Sequence, residues 1–257
     1  MTDARDLRSV LDDVDRSISR VLRCDGSPRV AFAHALGRAR GGERVTLHLT
    51  DDDLLACIDL LREAVRTSAP LLLRVDARVD HRVLWHAAEQ GAVALFARDP
   101  QEAVDLTLVA RRISEFALVP VVLGDDLGEP LCAVEVPSEM LRARTVGRAD
   151  DSIGTPTRTQ KLLFGERRRR LLRSFDLDRP VLLGASRSKA VEALADAARA
   201  AYREQETAEI CVQSLAEVAR ATDRPLSTLD MHRADDARVL IVCAGHAATL
   251  AVAVANE

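Results

Sequence analysis

The residue types best suited to chemistry in this chain are histidines and a run of three aspartates. His81 and His86 are five positions apart, which does not bring two rings to one helix face as a spacing of four would. Asp51, Asp52 and Asp53 follow a predicted strand, but three adjacent carboxylates cannot all point at one cation. Their simpler role is to cap the next helix and offset its dipole. We therefore predict no metal ligands.

Other motifs for catalysis or cofactor binding are weak or missing. The segment from Gly184 to Lys189 looks like a phosphate loop after a strand, but it lacks the second glycine and the hydroxyl after the lysine. The five cysteines form no C-x-x-C pair, so neither an iron–sulfur cluster nor a zinc ribbon is indicated. The sequence contains no G-x-G-x-x-G, G-x-S-x-G or H-E-x-x-H. From the residues alone we predict no catalytic and no cofactor-binding residue.

Composition and charge argue against some partners and locations for this protein. A formal charge of −4 and only 3% aromatic residues argue against nucleic acid as a partner. The run from Glu166 to Arg170 could bind an anionic partner or an acidic subunit surface, but we favour a solvated helical face. Isolated cysteines and a charged N-terminus without a signal core favour the cytoplasm. The apolar stretch from Val239 to Ala255 is interrupted at Gly245-His246, which predicts a strand, a turn and a helix rather than a membrane span.

The clearest structural pattern lies between Ala92 and Gly124. An apolar run to Ala97 predicts a buried strand, and Asp99-Pro100-Gln101-Glu102 predicts a helix start with a cap, a proline and a carboxylate. Apolar residues continue at helical spacing to Phe116, and a second strand follows from Val119 to Leu123. This order predicts a βαβ unit with parallel strands.

The remaining pattern extends this unit into a larger sheet. We predict helices over 3–23 and 30–40, a strand over 45–50, a helix to about residue 67, a strand over 71–75, a helix over 80–90 and an edge strand over 131–136. The predicted fold class is α/β, a mostly parallel, doubly wound sheet with a partial second α/β unit. Ligands bind such sheets beyond the carboxyl ends of the strands. The candidate loops are 50–53, 76–80, 98–99 and 124–128, with Thr50, Asp51, Asp125 and Asp126 as the candidate site residues.

The pattern also predicts the order of the segments. An N-terminal helix (1–24) precedes an α/β domain (25–141), a polar and basic linker (142–178) and a C-terminal region (179–257) that holds the partial second unit. In that region we predict a strand over 180–184, a helix over 189–205 and a strand over 238–243 before the last helix. A sheet that stops there cannot close on itself, so we expect another chain or a longer sequence to complete it.

The βαβ residues also carry a resemblance to a known family. Asp99-Pro100-Gln101-Glu102, Asp105-Leu106 and Val119-Pro120 resemble the pyruvate:ferredoxin (2-oxoacid:ferredoxin) oxidoreductases, where a Gln-Glu-x-x-Asp-Leu helix leads into an x-Val-Pro strand. Segments at 25–33, 45–55, 179–184 and 235–245 are similar to the same family in the same order. The resemblance implies a thiamine-diphosphate-binding-like domain, as in the α subunit or domains I and II.

Departures from the family pattern decide what the resemblance implies about function. Arg38–Arg44 stands where the family has the Tyr-Pro-Ile-Thr-Pro-Ser-Ser turn that contacts substrate, and the glutamate-bearing segment that activates the thiamine ring is missing. Gly124-Asp-Asp-Leu-Gly128 replaces Asp-Gly-Phe-Arg-Thr-Ser, so a substrate-binding arginine has become an acidic loop. No residue then inherits a catalytic role, and thiamine diphosphate and an iron–sulfur cluster would belong to a partner chain.

Three hypotheses follow. The leading one is a degenerate, non-catalytic relative of the oxidoreductase α subunit that acts as a scaffold or partner subunit in a homo- or hetero-oligomer. The second is a functional subunit, acting on 2-oxo acids with ferredoxin as acceptor, that a thiamine- and iron–sulfur-bearing partner completes. The third is a regulatory α/β domain that binds a small ligand.

Overall fold

The computed structural model describes residues 4–78, 81–128, 130–174, 189–235 and 237–256. The first half contains β1 (Arg5–Asp6), α1 (Leu7–Ile18), β2 (Arg20–Arg23), α2 (Pro28–Arg40), β3 (Val45–Thr50), α3 (Asp51–Leu55), α4 (Ile58–Arg66), β4 (Leu72–Asp76), α5 (Arg82–Glu89), β5 (Val93–Ala97), α6 (Pro100–Ala117) and β6 (Val121–Asp125). The second contains β7 (Leu131–Cys132), α7 (Glu139–Val146), β8 (Ser152–Gly154), α8 (Arg158–Phe164), β9 (Arg167–Arg169), α9 (Lys189–Thr222) and α10 (His246–Ala255). None of the helices in these ranges is long and apolar enough to cross a membrane.

Five strands form one parallel sheet in the order β2-β3-β4-β6-β5. The prediction of a parallel α/β fold is confirmed, including the predicted pair of β5 and β6, although β5 is an edge strand and is only partly buried. In the register of β4 and β6, Asp76 lies opposite Asp125, so two carboxylates end neighbouring strands.

Helices cover both faces of this sheet. Leu73 of β4 packs among α2 to α5, while its neighbour Leu72 packs among α1 and α6 on the opposite face. The connections that leave β2, β3 and β4 all run over the first face, whereas α6 crosses the second. The chain therefore changes face between β4 and β6, which are adjacent in the sheet, and such a change opens a crevice at the carboxyl ends of the strands.

The helix α6 begins as the sequence predicts. The Asp99 carboxylate accepts the amide of Glu102 at 2.9 Å, Pro100 occupies the first turn, and the Glu102 carboxylate accepts the amide of Arg98 at 2.8 Å. Both acceptors satisfy backbone donors that have no partner within the helix. The helix ends at Leu118, whose φ of +55° places it in the left-handed region.

The first predicted helix is shorter than expected. The helix α1 ends at Ile18, and Arg20–Arg23 forms the edge strand β2 beside β3. The apolar residues Val21 and Leu22 fit the helical period and the strand equally well. Pairing with β3, a long-range interaction, selects the strand.

The predicted linker over 142–178 also contains ordered structure. The strands β8 and β9 pair in an antiparallel hairpin, with α8 between them. The run Glu166–Arg170 is therefore not a solvated helical face, because Arg168 is only 2% exposed while Arg167 and Arg169 are exposed. Alternation of period two, typical of a strand, explains this pattern.

The predictions for strands and helices nearer the C-terminus have different outcomes. The predicted strand over 238–243 is an exposed segment without strand pairing among the residues that the structure describes, because no neighbouring strand covers it. The predicted edge strand over 131–136 is reduced to β7, which pairs with β1. The predicted helix over 189–205 extends to Thr222. The predicted strand over 180–184 and the loop before Lys189 lie outside the described residues.

Candidate functional site

An open cleft of about 490 Å³ lies at the carboxyl edge of the parallel sheet. Its walls are the first turns of α1 and the ends of β2, β3 and β4. The apolar side of α1 packs on the sheet through residues such as Leu7 and Val14, which leaves its polar residues Arg8 and Asp12 to line the cleft. This is the edge at which the topology predicts a ligand.

Arg8 joins the two aspartates that end β4 and β6. Its guanidinium donates to both carboxylate oxygens of Asp125, at 3.1 and 3.3 Å, and lies 3.2 Å from Asp76. Asp125 is 1% exposed, and burial raises its pKa although the charge of Arg8 acts in the opposite direction. The guanidinium of Arg8 is thus occupied by the protein's own carboxylates.

Arg74 and Asp15 form a buried pair beneath the cleft. Arg74 Nε donates to Asp15 Oδ2 at 2.7 Å, Arg74 Nη2 donates to Thr107 at 2.7 Å, and His48 Nε2 lies 3.0 Å from the same Asp15 oxygen. Burial alone would raise the pKa of Asp15, but the charge of Arg74 and the hydrogen bond from His48 outweigh burial and lower the pKa to about 2. Within the described part of the chain, Asp15 Oδ1 and Arg74 Nη1 have no hydrogen-bond partner.

The third arginine of the cleft, Arg23, is also paired. It contacts Asp12 at 2.5 Å, and Asp12 contacts Arg16 at 2.7 Å as well. Three arginines and five aspartates line the cleft, and together they carry a formal charge of −2. The aspartates are Asp6, Asp12, Asp25, Asp53 and Asp76. All three arginines are bound to carboxylates of the chain itself, and the cleft is acidic.

The four candidate residues from the sequence are not brought together. Thr50 lines the cleft and caps α3, with Asp53 completing the capping box. Asp125 reaches the cleft only through Arg8. Asp51 instead lines a separate cavity of about 180 Å³ with α5 residues, and Asp126 accepts the amide of His246 at 2.9 Å.

The family-like residues have structural roles. Beyond the helix start formed by Asp99, Pro100 and Glu102, the Gln101 side chain accepts the amide of Glu135 at 2.7 Å. Asp105 binds Arg224 through both carboxylate oxygens, at 2.6 and 2.7 Å, and Pro120 precedes β6. None of these residues lines the cleft.

Sequence reasoning missed the cleft residues of α1 and of two strand interiors. The sequence analysis assigned no site residue to helix α1, yet this helix supplies Arg8 and Asp12. A signal was present in β3 and β4, where the titratable residues His48 and Arg74 lie between leucines and valines in the middle of each strand. A polar residue at a core position must find a partner, and here that partner is Asp15. Among the residues described, no group of three His, Cys, Asp or Glu side chains is placed to hold a metal ion.

Fold and site together define an α/β protein with an acidic cleft at the carboxyl edge of its parallel sheet. No family model matches the chain, and comparison with curated proteins gives no match.

Proposed function

We propose that this chain is a non-catalytic relative of the 2-oxoacid:ferredoxin oxidoreductase α subunit that serves as a scaffold or partner subunit. The supporting observation is the pairing of the cleft arginines. Arg8, Arg23 and Arg74 each bind a carboxylate of the same chain, so the charge of each guanidinium in the cleft is already balanced before a substrate carboxylate arrives. Motif order along the sequence supports the relationship, and the departures from the motifs support the loss of activity.

Electrostatics argue against a 2-oxo acid in this cleft. A substrate carboxylate about 6 Å from one unpaired aspartate would be repelled by about 3 kcal/mol at an effective dielectric constant of about 20. Asp25 and Asp53 line the cleft, and neither has an arginine or lysine partner among the described residues. Binding would also have to break an internal ion pair to release an arginine. The repulsion and the loss of an internal ion pair both make binding of an anionic substrate unfavourable.

The same residues do not fit thiamine diphosphate. Its diphosphate would bring at least two further negative charges into a lining that already carries −2. Phosphate sites in proteins use free arginines, lysines or helix N-termini. Here the first turn of α1 is capped by the carboxylate of Asp6, which accepts the amide of Ser9 at 2.8 Å. We therefore derive no catalytic step through this cofactor.

Calorimetry on the purified chain tests this proposal. Thiamine diphosphate with Mg²⁺ is titrated first and pyruvate second, and circular dichroism checks that the sample is folded. We expect no binding heat from either ligand. Saturable binding of thiamine diphosphate with a Kd below about 100 μM, equivalent to about 5.5 kcal/mol, would overturn the proposal.

A second candidate function is that of an oxidoreductase subunit whose catalytic residues come from a partner. The observation in its favour is an exposed apolar surface near the C-terminus, where Val239–Val242 are 65–91% exposed and no residue of α10 is buried. Exposed apolar patches often mark protein interfaces. Co-purification with a thiamine- and iron–sulfur-containing protein, together with oxoacid-dependent ferredoxin reduction by the complex, would favour this candidate over the first.

A further inference from the structure

The charge of the cleft indicates what kind of ligand it can hold. Asp25 is exposed at the cleft and has no ion-pair partner within the described ranges, and the carboxylate of Asp53 is bound only to the backbone amide of Thr50. With all three arginines occupied, these carboxylates are the charges that remain for a ligand. Unpaired carboxylates around a partly enclosed cleft attract a cation, so the ligand should carry a protonated amine.

The inner wall of the cleft places a second, independent requirement on the ligand. Arg74 is 2% exposed and lines the cleft, and its Nη1 has no hydrogen-bond acceptor in the described part of the chain. Its partner Asp15 has an unused acceptor, Oδ1. An unpaired buried donor of this kind is costly, because it has given up its hydrogen bonds to water.

His48 contributes to the same wall. Its Nε2 lies 3.0 Å from the carboxylate of Asp15, and the tautomer that donates to this carboxylate from Nε2 has Nδ1 as an acceptor. Arg74 and His48 both line the cleft, so the wall offers one donor, Arg74 Nη1, and one acceptor, His48 Nδ1. Asp15 lies behind them, outside the lining of the cleft. Hydroxyl groups, which both donate and accept, satisfy such a set. A ligand carboxylate would suit this wall less well, because the carboxylate of Asp15, whose pKa is lowered, lies directly behind Arg74 and His48.

We propose that this cleft binds a small ligand that carries a protonated amine and several hydroxyl groups, of about the size of an amino sugar. The amine lies against Asp25 and Asp53, and hydroxyl groups face Arg74 and His48. A cavity of about 490 Å³ lies within the range of small-molecule sites. This proposal concerns the cleft alone and does not require the relationship to oxidoreductases.

Calorimetric titration with glucosamine tests the proposal, with N-acetylglucosamine as the comparison because it keeps the sugar ring but loses the charge. At about pH 6, where a primary amine is protonated, glucosamine is expected to bind at least about tenfold more tightly, and its affinity should fall as salt is added. Equal affinity for both sugars, or no binding of glucosamine, overturns the proposal. The thiamine diphosphate titration is a separate measurement, so either proposal can fail without the other.

A pair of surface variants locates the binding site. Asp25→Asn removes one carboxylate from the cleft, whereas Asp150→Asn removes the same charge from an exposed loop outside the cleft lining. Both residues are exposed, so both variants should fold. We expect Asp25→Asn to weaken glucosamine binding about fivefold and Asp150→Asn to leave it unchanged. Equal effects of the two variants would show that any binding occurs elsewhere.

Discussion

Replacement of Asp15 by asparagine should destabilise the protein more than any other single aspartate change in α1. Asp15 is fully buried and is the counter-ion of Arg74, which is itself only 2% exposed. Asparagine keeps the shape but not the charge, so Arg74 would stay buried without its carboxylate. Removal of one member of a buried ion pair costs about 3–5 kcal/mol.

The pH dependence of this loss follows from the pKa of Asp15. Its pKa is lowered in the folded protein from 3.8 to about 2, so its ionisation stabilises the fold above about pH 4. That stabilisation is lost as the pH falls from about 4 through 2, because the folded protein then takes up the proton too. A difference of nearly two pKa units corresponds to about 2 kcal/mol. Because the folded-state pKa is about 2, most of this free energy is lost by pH 2, so the gap in stability between the wild-type chain and Asp15→Asn should narrow by nearly as much.

Urea unfolding followed by circular dichroism measures both effects, with Asp59→Asn as the matched control. Hydrogen bonding to Arg29 also lowers the pKa of Asp59 to about 2, but that pair is exposed and solvent screens it. We expect a large shift of the urea midpoint for Asp15→Asn and a small one for Asp59→Asn. Equal midpoints for the two variants, or a gap for Asp15→Asn that does not change with pH, would refute the assigned role of the buried pair.

Three further substitutions test the packing by the same urea assay. Arg168→Met should lower the free energy of unfolding by about 3 kcal/mol or more, because it leaves several buried backbone carbonyls without a donor. The exposed control Arg169→Met should change it by no more than about 0.5 kcal/mol. Similar losses for the two variants would contradict the buried role of Arg168. Gly124→Ala should lower the free energy of unfolding by about 1–3 kcal/mol, since the added Cβ would lie 2.6 Å from a methyl carbon of Leu84. An unchanged urea midpoint would contradict this contact. Thr50→Ala should cost about 1 kcal/mol through loss of the α3 cap, and wild-type stability would argue against the capping box.

The parts of the fold that the sequence predicts well depend on local signals. The cap at Asp99, the proline after it and the helical period through α6 all lie within one short segment, and the structure places the helix start there. The parallel pairing of β5 and β6 follows from the length of that helix. In contrast, Val21-Leu22 is compatible with a helix, and only the distant strand β3 makes it a strand.

The cleft could not be predicted as a whole, because its charge depends on pairs that are far apart in sequence. Arg8 and Asp125 are 117 residues apart, and Arg74 and Asp15 are 59 apart. The sequence shows how many arginines and aspartates exist, but not which of them neutralise each other. The acidic loop at Gly124–Gly128 was correctly placed at the sheet edge, yet Asp125 is neutralised there by Arg8 of α1, a helix in which the sequence analysis placed no site residue.

The most direct test of the account is a crystal structure determined after soaking with pyruvate, thiamine diphosphate and Mg²⁺. We expect the cleft to contain neither ligand, with Arg8 still bound to Asp125 and Asp76 and Arg74 still bound to Asp15. Electron density for thiamine diphosphate or pyruvate in the cleft, with Arg8 or Arg23 turned from its aspartate towards the ligand, would contradict the central claim that the chain neutralises its own arginines.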